Sequence, residues 1–337
     1  MDPDNDGEPG TNLILAARNG NSQRMRSLID NSASVDVKDN GDNTALMRAA
    51  INGHTEVVEI LIENGAQLDL KNNKGDTALI LASSNGHSKV VRILIEIGAQ
   101  MEAKDNEGNT ALMSAVCHRH TEVMRILIEN GAQMDVKDND SNTALMWAAY
   151  NGHTEGLKIL IENGAQLDIM NDDDDNALIL AAKYENTEVV KILIENGAQL
   201  NVRNTFGNTA LISAAINGDI EVVRILCENG AQLDIEDNNG NTALKIASRR
   251  DHYDIVRILC ENGADVRNWD RKDDFLKQAC INGHNKFVRG LLQGGANQNS
   301  AGCVQISLEL YYQEIFLMLI KAGAEVNQVS KDKYLLV

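Results

Sequence analysis

Apolar and polar positions alternate along this chain in a pattern that repeats every 33 residues. One leucine position follows the period without a slip: Leu46, Leu79, Leu112, Leu145, Leu178, Leu211 and Leu244. Six of these seven leucines stand in Thr-Ala-Leu, whereas the fifth stands in Asn176-Ala177-Leu178. Each unit also ends in Gly-Ala, as at Gly65-Ala66. A fixed period of this length is the signature of a repeat architecture, so one unit explains most of the chain.

Within one unit, residues 39–71, the pattern predicts two short helices. Thr44 stands where a hydroxyl would cap a helix, and the strong helix formers of residues 45–50 follow it. Gly53 is predicted to end this helix, and Thr55 to cap a second one. The second helix has apolar residues at spacings of three and four, which indicate a single buried face. These residues are Val57, Val58, Leu61 and Ile62.

The segment that joins one unit to the next is short and polar, with alternating Leu68 and Leu70, and predicts a β-hairpin-like finger. The recurring T-x-L-x-x-A-A, N-G-H-x-E-V-V and L-L-x-x-G-A positions resemble those of the ankyrin-repeat family, over roughly residues 11–326. The resemblance implies an all-α repeat solenoid of helix-turn-helix units with short β-hairpin-like fingers. The family's T-P-L-H tetrapeptide is T-A-L-M or T-A-L-I here, a change that helix propensity and burial both tolerate.

A chain of 337 residues ordinarily suggests two domains, but in a repeat array each unit contacts only its neighbours. We therefore expect one array of about ten units, which forms an elongated monomer. The expected parts are a disordered acidic tail (1–10), an array (11–326) and a C-terminal tail (327–337). Within the array we expect an N-terminal cap (11–34), regular repeats (44–264), and degenerate repeats with a C-terminal cap (265–326).

The net charge of −18 argues against binding to nucleic acid or an anionic membrane and favours a basic protein partner. The alternative is a generally solvated acidic surface. No apolar stretch approaches 18 residues, and no signal region precedes the first unit. Cys227 and Cys260 share one repeat position, and helix layers about 10 Å apart would keep them from forming a disulfide. We expect five free thiols and a cytoplasmic, reducing location, with secretion as an effector as the alternative.

Candidate chemistry is sparse. Six histidines recur at one repeat position, but layers hold them too far apart to share a metal ion at ligand distances of about 2 Å. The acidic run 172–175 lacks the alternation of a calcium loop and is interpreted as a solvated turn. On the second helix, charges such as Glu122, Arg125 and Glu129 are expected to pair along the helix. Since no catalytic or phosphate-binding motif occurs, we predict no enzyme activity, no metal and no cofactor.

The candidate partner-binding residues are those that vary while the repeat stays fixed. The resemblance implies that the end of each first helix and the finger tips line a concave surface that binds other proteins. Aromatic residues make up only 4% of the chain, yet several fall at such positions in mid-array. The predicted site residues are Trp147, Tyr150, Tyr184, Lys183, Phe206, His118, Arg249 and Arg250. The alternative for the aromatic residues is simple packing between layers.

The expected function is that of a protein-interaction module, acting as an adaptor, scaffold or inhibitor. Aromatic residues and arginine are the commonest anchors of protein interfaces, which favours this function. One alternative is a secreted microbial effector that acts on host proteins and carries an enzyme activity. Another is a purely structural spacer or a repeat protein designed from a consensus, since the units copy each other closely.

Overall fold

A computed structural model describes residues 9–325 as a succession of short helices joined by turns. The chain divides into two compact units, with the boundary between Ala198 and Gln199. The first helix begins at Pro9, so the segment predicted as a tail includes two helical residues. The rest of that tail and the C-terminal tail lie outside the described residues.

The first unit consists of six helix pairs. Each first helix packs on the first helices of neighbouring pairs, and each second helix packs on the neighbouring second helices. The unit is therefore a stack of repeats, as the sequence predicts. The helices are α1 (Pro9–Arg18), α2 (Ser22–Asp30), α3 (Ala45–Asn52), α4 (Thr55–Glu63), α5 (Ala78–Ser84), α6 (Ser88–Glu96), α7 (Ala111–Cys117), α8 (Thr121–Glu129), α9 (Ala144–Tyr150), α10 (Thr154–Glu162), α11 (Ala177–Lys183) and α12 (Thr187–Glu195).

The second unit continues the same pairing of helices. They are α13 (Ala210–Asn217), α14 (Ile220–Glu228), α15 (Ala243–Arg249), α16 (Tyr253–Glu261), α17 (Lys272–Asn282), α18 (Asn285–Gln293), α19 (Cys303–Glu309) and α20 (Gln313–Lys321), with a 3-10 turn over Ser300–Gly302. Its last part departs from the small, aliphatic core of the regular repeats. There Trp269, Phe275 and Phe287 are buried and lie with Tyr253 in one aromatic cluster. Large rings thus fill the core where the repeat pattern weakens.

In the regular repeats the first helix begins with a side-chain cap, as the sequence predicts. The Thr44 hydroxyl accepts a hydrogen bond from the backbone N–H of Met47 at 3.3 Å. In the fifth regular repeat Asn176 does the same with its side-chain oxygen, which accepts from Ile179 N–H at 2.9 Å. Gly53 ends α3 in the left-handed conformation, with φ of 70°. The repeated leucines at the centre of these helices are no more than 1% exposed, which confirms them as the core.

The prediction for the start of the second helix was wrong by one residue. Thr55 is the first residue of α4, and the N-cap position belongs to His54, which makes no side-chain capping bond. The ring instead reaches the preceding repeat, where its Nε2 lies 3.0 Å from the carbonyl oxygen of Arg18. The same contact joins His87 to Ile51 at 2.8 Å. The recurring histidine therefore links neighbouring repeats rather than capping its own helix.

The fingers are turns rather than strands. Within residues 9–325 the backbone pairing of β type is a single isolated bridge between Lys38 and Thr44. Each of the seven fingers from Asp39 to Asp237 is closed by an Asp or Asn side chain that accepts from backbone N–H groups two and four residues later. At Asp105 the acceptor oxygen lies 2.9 Å from Glu107 N and 2.8 Å from Asn109 N. A side-chain oxygen thus replaces the ladder of hydrogen bonds that a β-hairpin would need.

The charges on the second helices join repeats as well as stabilising single helices. Arg125 does not pair with Glu122 or Glu129 but with Glu155 of the next repeat, at 2.9 Å. Glu122 in turn accepts from Arg92 of the preceding repeat at 3.0 Å. The prediction of pairing along the helix was wrong here, because the helix beside it offers a carboxylate in reach.

Candidate functional site

The predicted aromatic residues of the first unit line one open cleft. Trp147 and Tyr150 come from α9, and Lys183 and Tyr184 from the end of α11. The cleft has a volume of about 390 Å³. Its remaining lining comes from two neighbouring finger tips and the helices beside them: Asp140, Asn142, Met146, Asn171, Asp172, Asp173, Asp175 and Leu180. The repeat architecture therefore brings three of the chain's few aromatic side chains to one place.

The three rings contact each other in a chain. The centroids of Trp147 and Tyr150 lie 5.6 Å apart at an angle of 77°, and those of Tyr150 and Tyr184 lie 4.3 Å apart at 60°. These edge-to-face arrangements are ones that aromatic pairs favour. Tyr150 is 40% exposed and Tyr184 is 44% exposed, so the packing leaves much of both rings open to solvent.

A hydrogen bond to the finger fixes the indole of Trp147. Its Nε1–H donates to Asp138 Oδ2 at 2.9 Å, while the other Asp138 oxygen accepts from the backbone of Asp140 and Asn142. In the first regular repeat Arg48 occupies the position of Trp147 and binds the finger residue Asp39 in the same way, with its Nε at 2.7 Å. The indole that lines the cleft is therefore fixed in place by the neighbouring finger.

Lys183 crosses the cleft toward a buried carboxylate. Its ammonium lies 3.2 Å from Asp175 Oδ2 and 5.9 Å from the centroid of the Tyr184 ring. Partial burial lowers the pKa of Lys183, but the negative charge of Asp175 more than offsets this and raises that pKa above its usual value. The acidic run 172–175 was interpreted as a solvated turn, which is wrong for Asp175 because its side chain is buried against this lysine.

Tyr184 takes a position that elsewhere has a structural role. At the end of the first helix, Asn52 and Asn85 each donate their side-chain N–H to the carbonyl oxygen four residues earlier, both at 2.8 Å. Asn151 does so at 3.0 Å. His118 replaces the amide with its ring, whose Nδ1 lies 2.9 Å from the Ser114 carbonyl oxygen. Tyr184 has no such group, so its presence gives up a local hydrogen bond that these four repeats have.

The other predicted site residues are not among those that line this cleft. His118 is exposed, but it lines a preceding repeat and its ring stacks against His120 at 6.2 Å. Phe206, Arg249 and Arg250 belong to the second unit. There Phe206 is 61% exposed at a finger tip, and Arg249 donates to Asn241 Oδ1 at 2.6 Å.

Sequence reasoning missed the acidic residues of the fingers as part of the site. Asp138 orients Trp147, and Asp175 binds Lys183. A signal for the first of these was present, because Asp or Asn recurs every 33 residues at the closing position of the finger. These residues are Asp39, Asn72, Asp105, Asp138, Asn171, Asn204 and Asp237.

Among residues 9–325 no three His, Cys, Asp or Glu side chains converge as a metal site would require. Over the same residues no helix is both long enough and apolar enough to span a bilayer. The five cysteines are thiols, and burial raises the pKa of Cys117 and of Cys227 to about 11.

Comparison with known proteins agrees with the repeat. A family model described as ankyrin repeats in three copies matches residues 1–72, 64–140, 130–204 and 178–270. A search of curated proteins gives no match. The matched segments together cover well over half of the chain and include every residue of the aromatic cleft. This protein belongs to the ankyrin-repeat family.

Proposed function

We propose that this chain is a protein-interaction module that binds its partner through the aromatic cleft of the first unit. Ankyrin repeats are generally protein-interaction modules, and the cleft supplies what an interface anchor needs. Tyr150 and Tyr184 are 40% and 44% exposed, whereas the other regular repeats hold Ile, Ser, Cys, Lys or Arg at the first position and Asn, His or Arg at the second. Exposed tyrosine and tryptophan in a preformed cleft are the residues that most often dominate binding energy.

The observation that carries the proposal is the loss of a structural bond at Tyr184. In four other repeats the same position holds a side chain that closes the helix, at Asn52, Asn85, His118 and Asn151, whereas Arg250 holds it in the seventh. A tyrosine there gives up that bond and gains instead the ring contact with Tyr150 at 4.3 Å. Residues that break a local rule without stabilising the fold are typical of functional sites. We infer that Tyr184 serves binding, and that the partner covers it.

The role in the cell is that of an adaptor, scaffold or inhibitor, since a cleft of this kind binds without converting its partner. A basic partner suits the net charge of −18. A secreted effector with an enzyme activity remains the second candidate from another class, and a spacer without a partner the third. No contact in the cleft favours either the effector or the spacer.

Affinity capture with mass spectrometry tests the proposal. Its variants carry residues that already occur at the same positions in other repeats. Tyr150→Ser and Tyr184→Asn introduce residues that other repeats hold at the same positions, at Ser84 and Asn85. Both variants should therefore fold. The control is Tyr311→Asn, which removes an aromatic side chain that is 88% exposed in the second unit. A partner retained by the wild type and the control but lost by the double cleft variant supports the proposal. Equal retention by all three would refute it.

A further inference from the structure

The cleft already binds one cation of its own chain. Lys183 lies over the ring of Tyr184, 5.9 Å from its centroid, and its charge is balanced by Asp175 at 3.2 Å. An aromatic face beside a carboxylate attracts a positive charge both through the ring quadrupole and by direct ion pairing. The chemistry of this cleft is therefore suited to cations.

The carboxylates at the rim exceed what Lys183 balances. Asp140, Asp172 and Asp173 are exposed and line the same cleft, and none forms a salt bridge within residues 9–325. Together with Asp175 they place four carboxylates against one lysine, which leaves a net charge of −3 along the lining. A group entering the cleft would meet this field at short range, where salt screens it least.

The aromatic walls favour a planar cation over a compact, spherical one. The rings of Trp147, Tyr150 and Tyr184 stand at steep angles to their neighbours, so that successive faces point in different directions. A guanidinium group is planar, stacks on aromatic faces and donates two parallel hydrogen bonds to a carboxylate. A lysine ammonium is a compact, strongly hydrated charge that gains less from such a wall.

We infer that the cleft binds an arginine side chain of the partner protein, stacked on the aromatic wall and hydrogen-bonded to the finger carboxylates. This inference rests on the proposed function, because it names the chemistry by which the same cleft would recognise its partner. It also explains why a tyrosine wall and acidic finger tips occur together in two neighbouring repeats. Lys183, held by Asp175, would sit at the back of the cleft and leave the rim free for the incoming group.

A small peptide can test this without knowledge of the partner. The probe is an acetylated, amidated pentapeptide of one arginine between glycine pairs, compared with the same peptide carrying lysine or the uncharged isostere citrulline. The readout is the NMR signal of the indole N–H in the full-length protein. The chain has 2 tryptophans, so Trp147 reports on the cleft while buried Trp269 of the second unit is the internal control.

We expect the arginine peptide to shift the Trp147 signal with an affinity about tenfold above that of the citrulline peptide. Added salt should weaken this binding, and Asp172→Asn with Asp173→Asn should reduce it severalfold. The Trp269 signal should stay in place throughout and show that the variants are folded. Absence of a shift with arginine, or equal shifts with citrulline or lysine, would overturn the inference. The two proposals can fail separately. If the arginine peptide gives no such shift but the double tyrosine variant still fails to capture the partner, the proposed function stands and the arginine inference is refuted.

Discussion

At the scale of single residues, three departures from the repeat depend on one another. In four other repeats a glycine faces the histidine of the next repeat; a Cβ built on Gly86 would lie 2.5 Å from His120 Nδ1. In the next repeat Arg119 occupies the position of this glycine, at φ of 60°. Its side chain excludes the His153 ring from the place that the histidine ring takes in those repeats. His153 is turned inward and is only 5% exposed. Gly156 stands where the other regular repeats have valine, and a Cβ built on it would lie 2.4 Å from His153 Nδ1. One substitution has therefore displaced a ring, and a second has made room for it.

This coupling predicts the outcome of a double-mutant cycle. Gly156→Val should destabilise the protein by about 1–3 kcal/mol, because the new side chain overpacks the inward ring of His153. In an Arg119→Gly background the ring can return to its usual position, and the same valine should cost much less. Urea denaturation of the four proteins measures the coupling. Additive effects would contradict the explanation.

The inward ring also predicts a dependence of stability on pH. Burial lowers the pKa of His153, with the positive charge of Arg119 adding to the effect. Because the pKa is lower in the folded state, the unfolded chain binds the proton first as pH falls. His153 makes its full contribution to the free energy of unfolding above about pH 6.5, the usual pKa of histidine. This contribution is lost as the pH falls below that value.

His153→Asn should therefore make the free energy of unfolding depend less on pH between 7.5 and 5.5. Asparagine is a compatible replacement, since Asn186 at the same repeat position donates to the Ala149 carbonyl at 2.8 Å. His87→Asn is the matched control, because His87 lies in the usual position and is less buried. The explanation fails if both variants change the pH dependence equally, or if neither does.

At the scale of elements, the sequence predicts the helices well and the fingers less well. Caps, glycine stops and apolar spacing are local, so Thr44, Gly53 and the repeated leucines could be placed from the pattern alone. The partner of Arg125 could not, because three carboxylates lie within its reach and only the packing of helices selects Glu155. The bond from Trp147 to Asp138 depends likewise on a rotamer that no spacing reveals.

The structure of the finger predicts that two substitutions of Asp105 lower the free energy of unfolding by different amounts. Asp105→Ala removes the oxygen that accepts from Glu107 N and Asn109 N, and should lower the free energy of unfolding by about 1–3 kcal/mol. Asp105→Asn should have a much smaller effect, because Asn72 closes the preceding finger with the same two bonds, both at 2.9 Å. Thermal melts of the two variants give the comparison. Equal losses would mean that charge, rather than the oxygen, matters at this position.

At the scale of the whole molecule, the cysteines offer a test of the described fold. All five are thiols, three of them buried, and burial raises the pKa of the half-buried Cys117 and Cys227 to about 11. Cys117 and Cys227 are therefore almost wholly protonated at neutral pH, and a protonated thiol is unreactive. We expect slow reaction of the native protein with a thiol reagent at pH 8, and rapid reaction of all five after denaturation without reductant. Fewer than five in the denatured sample would contradict the assignment of free thiols.

The proposed function assigns different roles to the net charge and to the aromatic cleft. A net charge of −18 acts over a distance and raises the rate at which a basic partner arrives, in a way that salt reduces. The aromatic cleft acts at contact, where truncation of an anchor typically changes how long the complex lasts. Cleft variants should therefore affect dissociation most, whereas substitutions of distant surface charges should affect association.

The most direct test of the account is the affinity of a captured partner for Tyr184→Asn, measured by titration calorimetry beside wild type and Tyr311→Asn. Because Asn at this position restores a bond seen at Asn52 and Asn151, the variant should melt no lower than wild type. Loss of the ring should nevertheless cost about 2 kcal/mol of binding, or roughly thirtyfold in affinity, while the control binds as wild type does. Unchanged affinity in a folded Tyr184→Asn protein would contradict the central claim that the partner binds the aromatic cleft.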